Sequence, residues 1–335
     1  MQTLTKLMEV SGAQYRIFDL GRSVRKIDKD TFGKFEATDI PYPYPMQGHA
    51  WFALLFWSPE KKEEHQIWFI KFPLDEQGLL KQACRDDFLQ RTLAEVAGQQ
   101  NDANDLQESP DNPWGFTPRQ DKMATIHAKG SLAMGLEPSQ FYQPVREFLK
   151  KPSNDWQHLG VQGIADFCAR LDADDNTDIL LQAMPSLPDE FLIQILPQLE
   201  NEVISHQLGE AIVRRCSGTD SPNLMSAAIR ALSQCRGDSL EKYVTEALNS
   251  PHQNNVEVLV AISGRAWDVL HNEAVALAFL EALARNDAGQ EGFNHILRDV
   301  LYLPHIGAVI REAFRSEQRS DALIDTLGKF LKNVH

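Results

Sequence analysis

The chain has 335 residues, of which 43% are apolar and 24% charged, which is enough for two domains and excludes wholesale disorder. Its net charge of -14 is unevenly placed: residues 1–150 carry 18 Lys and Arg against 21 Asp and Glu (net -3), and residues 151–335 carry 15 against 26 (net -11). An acidic C-terminal half opposes the phosphate neutralisation that dominates nucleic-acid affinity and repels anionic membrane surfaces, so neither is expected as a partner.

The opening stretch, MQTLTKLMEVSGAQ, lacks the apolar core and cleavage site of a signal peptide. No run approaches the roughly 18 apolar residues needed to span a bilayer. The four cysteines include no CxxC pair, and Cys168, Cys216 and Cys235 fall on apolar stripes of predicted helices. The sequence reads as cytoplasmic.

In chain order, TLTKLMEVSG places Leu4, Leu7 and Met8 on one helical face. AQYRIFDLG then alternates as a strand, with Gly21 at its turn, and a short helix is expected near Lys29–Phe35. YPYPMQGH gives an extended, proline-set approach to AWFALLFW, whose two alternating faces are both apolar, the pattern of a strand buried on both sides. SPEKKEEH reads as a long polar loop before the strand QIWFIKFP, making a β-hairpin, and a helix follows with Leu80, Cys84, Phe88, Leu89 and Leu93 at helical spacing. This predicts an α+β domain over residues 1–98, an antiparallel sheet with helices.

Residues 99–118, rich in Asn, Asp, Pro and Gly, read as a linker. Thr117-Pro118-Arg119-Gln120 then reads as a capping box with proline at the first helical position. From there to residue 335 the chain predicts a helical-pair solenoid, so the fold class is mainly α. Second helices of successive pairs are expected near Trp156, Pro188, Pro222, Asn255, Glu291 and Arg319, a pitch of roughly 30–36 residues. An isolated helix pair cannot bury its apolar face, so stacking is the natural outcome. The pattern resembles divergent, short HEAT-like repeats, with a compact multi-helix bundle as the competing arrangement.

Chemical motifs are sparse. Asp172, Asp174 and Asn176 match the first, third and fifth ligands of a calcium loop, but Thr177 replaces its glycine and Ala183 its closing glutamate. A polar inter-helix turn is the better reading. The ten histidines show no metal spacing, and no nucleophile elbow, phosphate loop or dinucleotide fingerprint occurs. No metal or cofactor is expected. The remaining candidates for ligand or partner binding are Asp19, Arg22, Arg25, Tyr42, Tyr44 and His49 around the first strand end and the tyrosine-proline run. Trp114, Phe116 and Arg119 join them, because aromatics in a polar linker must be either buried against a domain or presented to a partner.

Two segments, SGAQYRIFDLGRSVRKI (residues 11–27) and NPWGFTPRQDKMATIHAK (residues 112–129), resemble an uncharacterised bacterial family known as a domain of unknown function. The resemblance extends over essentially the whole chain and implies a bacterial, cytoplasmic protein with no catalytic residues to carry over. The expectation is a non-enzymatic interaction or scaffold protein that holds a protein partner. The alternative is a small-molecule enzyme with its site in the α+β domain or an inter-domain cleft.

Overall fold

A computed structural model describes residues 3–98, 112–303 and 305–332. The chain divides into two compact units, residues 1–126 and 127–335. Residues 99–111 of the expected linker lie outside the described residues.

The first unit is built on a four-stranded antiparallel sheet in the order β2-β1-β3-β4. Its elements are α1 (Leu4–Val10), β1 (Gln14–Asp19), β2 (Arg25–Ile27), α2 (Lys29–Glu36), β3 (His49–Ser58), β4 (Lys61–Pro73) and α3 (Gln82–Gly98). β3 is central, and Phe52, Ala53, Leu54 and Leu55 are fully buried within it. Its Phe52 and Leu54 face a core with Phe32 and Phe35 of α2, Phe72 of β4 and Phe88 of α3. The rings meet edge-on: Phe32–Phe52 at 5.0 Å, Phe52–Phe72 at 5.7 Å and Phe72–Phe88 at 5.9 Å. Each such side chain contributes about 1.5–3 kcal/mol by leaving water.

The hairpin differs from the sequence reading. Ser58 pairs with Lys61 across a tight turn, so the expected long loop is strand from Lys61 onward. Lys61, Lys62, Glu63 and Glu64 are exposed because β4 is an edge, where charge blocks pairing with other chains while the backbone still bonds to β3. Farther along, the edge is covered from within the unit. The amide of Lys71 donates to the Trp114 carbonyl at 2.8 Å, and Phe116 donates to the Phe69 carbonyl at 3.3 Å.

Two buried charged groups tie the helices together. The Glu36 carboxylate accepts from the Leu4 and Thr5 amides at 2.7 and 3.0 Å and from the Thr5 hydroxyl at 2.7 Å, so α2 caps the start of α1. Arg85 of α3, fully buried, donates to the Glu36 carbonyl at 2.6 Å.

α4 (Gln120–Met134) begins with the Arg119 carbonyl accepting from Met123 at 2.9 Å. The helix therefore starts two residues later than the capping-box reading, with Pro118 ahead of it. The second unit continues with α5 (Tyr142–Lys150), α6 (Val161–Ala169), α7 (Asn176–Ala183), α8 (Asp189–Leu199), α9 (His206–Cys216), α10 (Pro222–Leu232), α11 (Ser239–Leu248), α12 (Val256–Arg265), α13 (Glu273–Ala284), α14 (Gly289–Leu301), α15 (Ile306–Ala313) and α16 (Asp321–Lys332). Each helix packs on the next but one: α6, α8, α10, α12, α14 and α16 form one row, and α5, α7, α9, α11, α13 and α15 the other. One continuous apolar core runs between the rows. Trp156, expected at a helix start, instead lies five residues before α6, its ring 5.9 Å from that of Phe191.

Side chains at the helix starts cap helices in both rows. Ser205, Ser221, Asn255 and Asn272 each accept from an amide of the first turn of α9, α10, α12 and α13. Asn255 also donates to Asp287 at 3.0 Å, linking one pair to the next. Cys168 and Cys216 are buried on α6 and α9, whereas Cys235 sits beyond α10, in a bridge to Ile204, rather than on a helix.

Candidate functional site at one end of the sheet

The residues singled out around DLGR and YPYPMQGH converge on one end of the sheet. Register explains this: Asp19 ends β1 opposite Arg25, which starts β2, and opposite Phe52, while Trp51 near the start of β3 lies opposite Lys71 near the end of β4. Between Met46 and His49 the chain makes a two-residue turn in which Gln47 and Gly48 have φ of 51° and 70° and the two flanking residues exchange backbone hydrogen bonds at 3.1 Å. This is the mirror-image turn that suits strand twist, and it launches β3 at His49.

Asp19, Arg22 and Tyr42 form the interior of this end, and all three are fully buried. The Asp19 carboxylate accepts from the Tyr42 hydroxyl at 2.9 Å, from the Gly21 and Arg22 amides at 3.2 and 3.1 Å, and from Ser23 at 3.4 Å. Arg22 donates from Nε to the Pro45 carbonyl at 2.8 Å. Lys122 donates to the carbonyls of Leu20 and Gly21, the latter at 2.6 Å. Burial pushes the Asp19 carboxyl above its ordinary 3.8, against the lowering pull of Lys122 and of its hydrogen bonds. Burial and the adjacent Asp19 push the Tyr42 hydroxyl well above 10.0. Chemically, the network fixes the turn after β1 and joins it to the tyrosine-proline run. Its two groups able to do acid-base work, the Asp19 carboxyl and the Tyr42 hydroxyl, are inside the protein.

The rim of the same end is different. Tyr44, His49, Trp51, Lys71, Arg25 and Phe116 are half-buried. The Arg25 guanidinium lies 4.9 Å from the Tyr44 ring centre, and the Lys71 amine 4.2 Å from that of Trp51. Phe116 meets Trp51 edge-on at 5.0 Å, and His49 lies 6.0 Å from it while its Nδ1 is 2.7 Å from the Gln47 carbonyl oxygen. Trp114 sits apart, against Phe72 at 6.1 Å, donating from Nε1 to Asp87 at 2.8 Å. Arg91 first, then this Trp114 bond, holds the Asp87 carboxyl below its usual range. Arg119 is exposed and pairs with Asp121 at 2.6 Å. The structure thus separates Trp114 and Arg119 from the other candidates. It adds Trp51, Lys71 and Lys122, which no local motif marks, because Lys71 reaches its ring only through strand register.

In the second unit the aspartate-rich turn is an internal fastening. Asn176 is buried and donates to the Tyr142 hydroxyl at 2.7 Å and to the Arg170 carbonyl at 2.8 Å, and Asp175 pairs with Arg146. Among the described residues, no group of three or more His, Cys, Asp or Glu is placed to hold a metal ion. Glu200, at the end of α8 and nearly fully buried, holds Arg230 of α10 at 2.5 Å and Arg265 of α12 at 3.0 Å through a single oxygen. No helix among the described residues is long and apolar enough to cross a membrane.

Fold and site together define a mainly α protein with a small N-terminal α+β unit. The chain belongs to the family described as protein of unknown function (DUF3549), which matches residues 1–331. No curated protein and no solved structure matches it.

Proposed function

We propose that this protein is a non-enzymatic interaction scaffold whose helical-pair array, read as HEAT-like, holds a protein partner. The observation that carries the reading is the two-row stack of helices with large apolar side chains left in water. Val260 of α12 and Ile324 and Leu331 of α16, all in one row, are 45%, 49% and 56% exposed. Stacked helix pairs commonly use such extended surfaces for binding, and these exposed side chains along one row offer apolar anchor points for a protein partner. The net charge of -11 over residues 151–335 works against nucleic acid as that partner. Asp19, Arg22 and Tyr42, three of the groups on which an enzymatic reading of the first unit would rest, are fully buried, which supports binding over catalysis. A cytoplasmic, bacterial setting belongs to the same reading, supported by four cysteines that are all free thiols.

The test is affinity capture of the full chain from bacterial lysate at mild salt, with stoichiometry measured. A partner recovered near one to one, and lost with the double variant Val260→Asp and Ile324→Asp, is the expected result. Recovery of no stoichiometric partner counts against the proposal.

A further inference from the structure

α13 and α15 pack against one another in the same row, and an open groove of about 370 Å³ lies between them. Ala274 and Leu277 of α13 and Ala313 of α15 give it apolar walls. Glu273, the first residue of α13, and Glu312, in the last turn of α15, bring two carboxylates to it. Among the described residues that line it, Arg315 is the sole cation. Arg315 reaches Glu312 at 3.1 Å, but both side chains are exposed, and a pair of this kind is weak enough to exchange partners. The turn after α15 already holds a guanidinium, since Arg319 donates from Nε to the Ser316 carbonyl at 2.7 Å, where the negative end of a helix favours a cation. Apolar walls under an acidic rim match a side chain with an apolar stem and a cationic head. Arginine fits better than lysine, because its planar fork meets a carboxylate with two hydrogen bonds.

We propose that this groove docks an arginine-rich segment of a partner protein, with one arginine stem along Leu277 and Ala313 and its guanidinium held by Glu273 and Glu312. The proposal rests on the array being a protein-binding surface and adds the chemistry of the partner. The net charge of -11 over residues 151–335 draws a basic segment from solution and repels an acidic one. The charge that opposes nucleic acid thus selects this class of partner.

The test is fluorescence anisotropy of the full chain with a labelled peptide alternating arginine and alanine. That peptide should bind, and its citrulline counterpart, which keeps the stem and loses the charge, should not. The double variant Glu273→Gln and Glu312→Gln should weaken binding about tenfold or more, the loss of about one charge-assisted hydrogen bond, with the fold checked by circular dichroism. Glu63→Gln with Glu64→Gln, exposed on β4, makes the same change of net charge and should leave the affinity unchanged. Equal losses in the two double variants mean that the peptide reads overall charge alone, and they overturn the proposal. Absence of binding, or a citrulline peptide that binds as tightly, does the same. So does a captured partner that is lost with Val260→Asp and Ile324→Asp yet indifferent to Glu273→Gln and Glu312→Gln, an outcome that leaves the scaffold function itself standing.

Discussion

Asp19 draws its hydrogen bonds from Gly21, Arg22, Ser23 and Tyr42, so one carboxylate organises a turn and anchors a segment far along the chain. Removing the Tyr42 hydroxyl leaves a buried acceptor short of a donor, and Tyr42→Phe should cost about 1–3 kcal/mol of stability. Denaturant unfolding followed by tryptophan fluorescence measures this, since Trp51, Trp57, Trp68 and Trp114 all lie in the first unit. Glu36 gives a pH test with a definite sign. Burial raises its carboxyl above 4.5 despite the bonds from Thr5 and Leu4, so ionisation costs the folded state more than the unfolded one. Its contribution is full below the unfolded value and is lost as pH rises through the folded one. The stability difference between the wild type and Glu36→Gln should therefore shrink from pH 4.5 toward neutrality. A difference that grows with pH would mean the carboxyl is held down instead.

At the scale of elements, the helix rows depend on a few fixed ties. Asn255 accepts from the Glu257 and Val258 amides at 3.1 and 3.4 Å and donates to Asp287. Asn255→Ala should cost about 0.5–2 kcal/mol, read as a lower midpoint in urea monitored by far-ultraviolet circular dichroism. Glu200 joins α8, α10 and α12 by neutralising two arginines. Breaking a buried pair from one side leaves unmatched charge, so Glu200→Gln should cost about 3–5 kcal/mol and change little with salt. If high salt restored the lost stability, the pair would be acting as a surface contact. The strand-versus-loop error at Lys61–Glu64 has its cause at this scale. Charge normally marks a loop, yet an edge strand needs only one backbone neighbour, and charge on its free side is protective. The both-faces-apolar pattern of β3 and the spacing of the helix pairs needed no long-range information, and both were legible in the sequence.

For the whole molecule, the sequence showed which residue types gather near the first strand end but could not show their burial. Tyr42 reaches Asp19 across 23 positions and Lys122 reaches Leu20 across 102, contacts that no local periodicity encodes. Arg22 read as a binding candidate at the first strand end and is instead a fully buried donor to Pro45. That shift moves weight from chemistry in the first unit to binding by the second. The most direct measurement of that claim is hydrogen–deuterium exchange of the full chain with and without its captured partner. Binding by the array predicts slowed exchange concentrated in the row that holds α12 and α16. Partner-induced protection confined to residues 3–98, with none between 142 and 332, would contradict it.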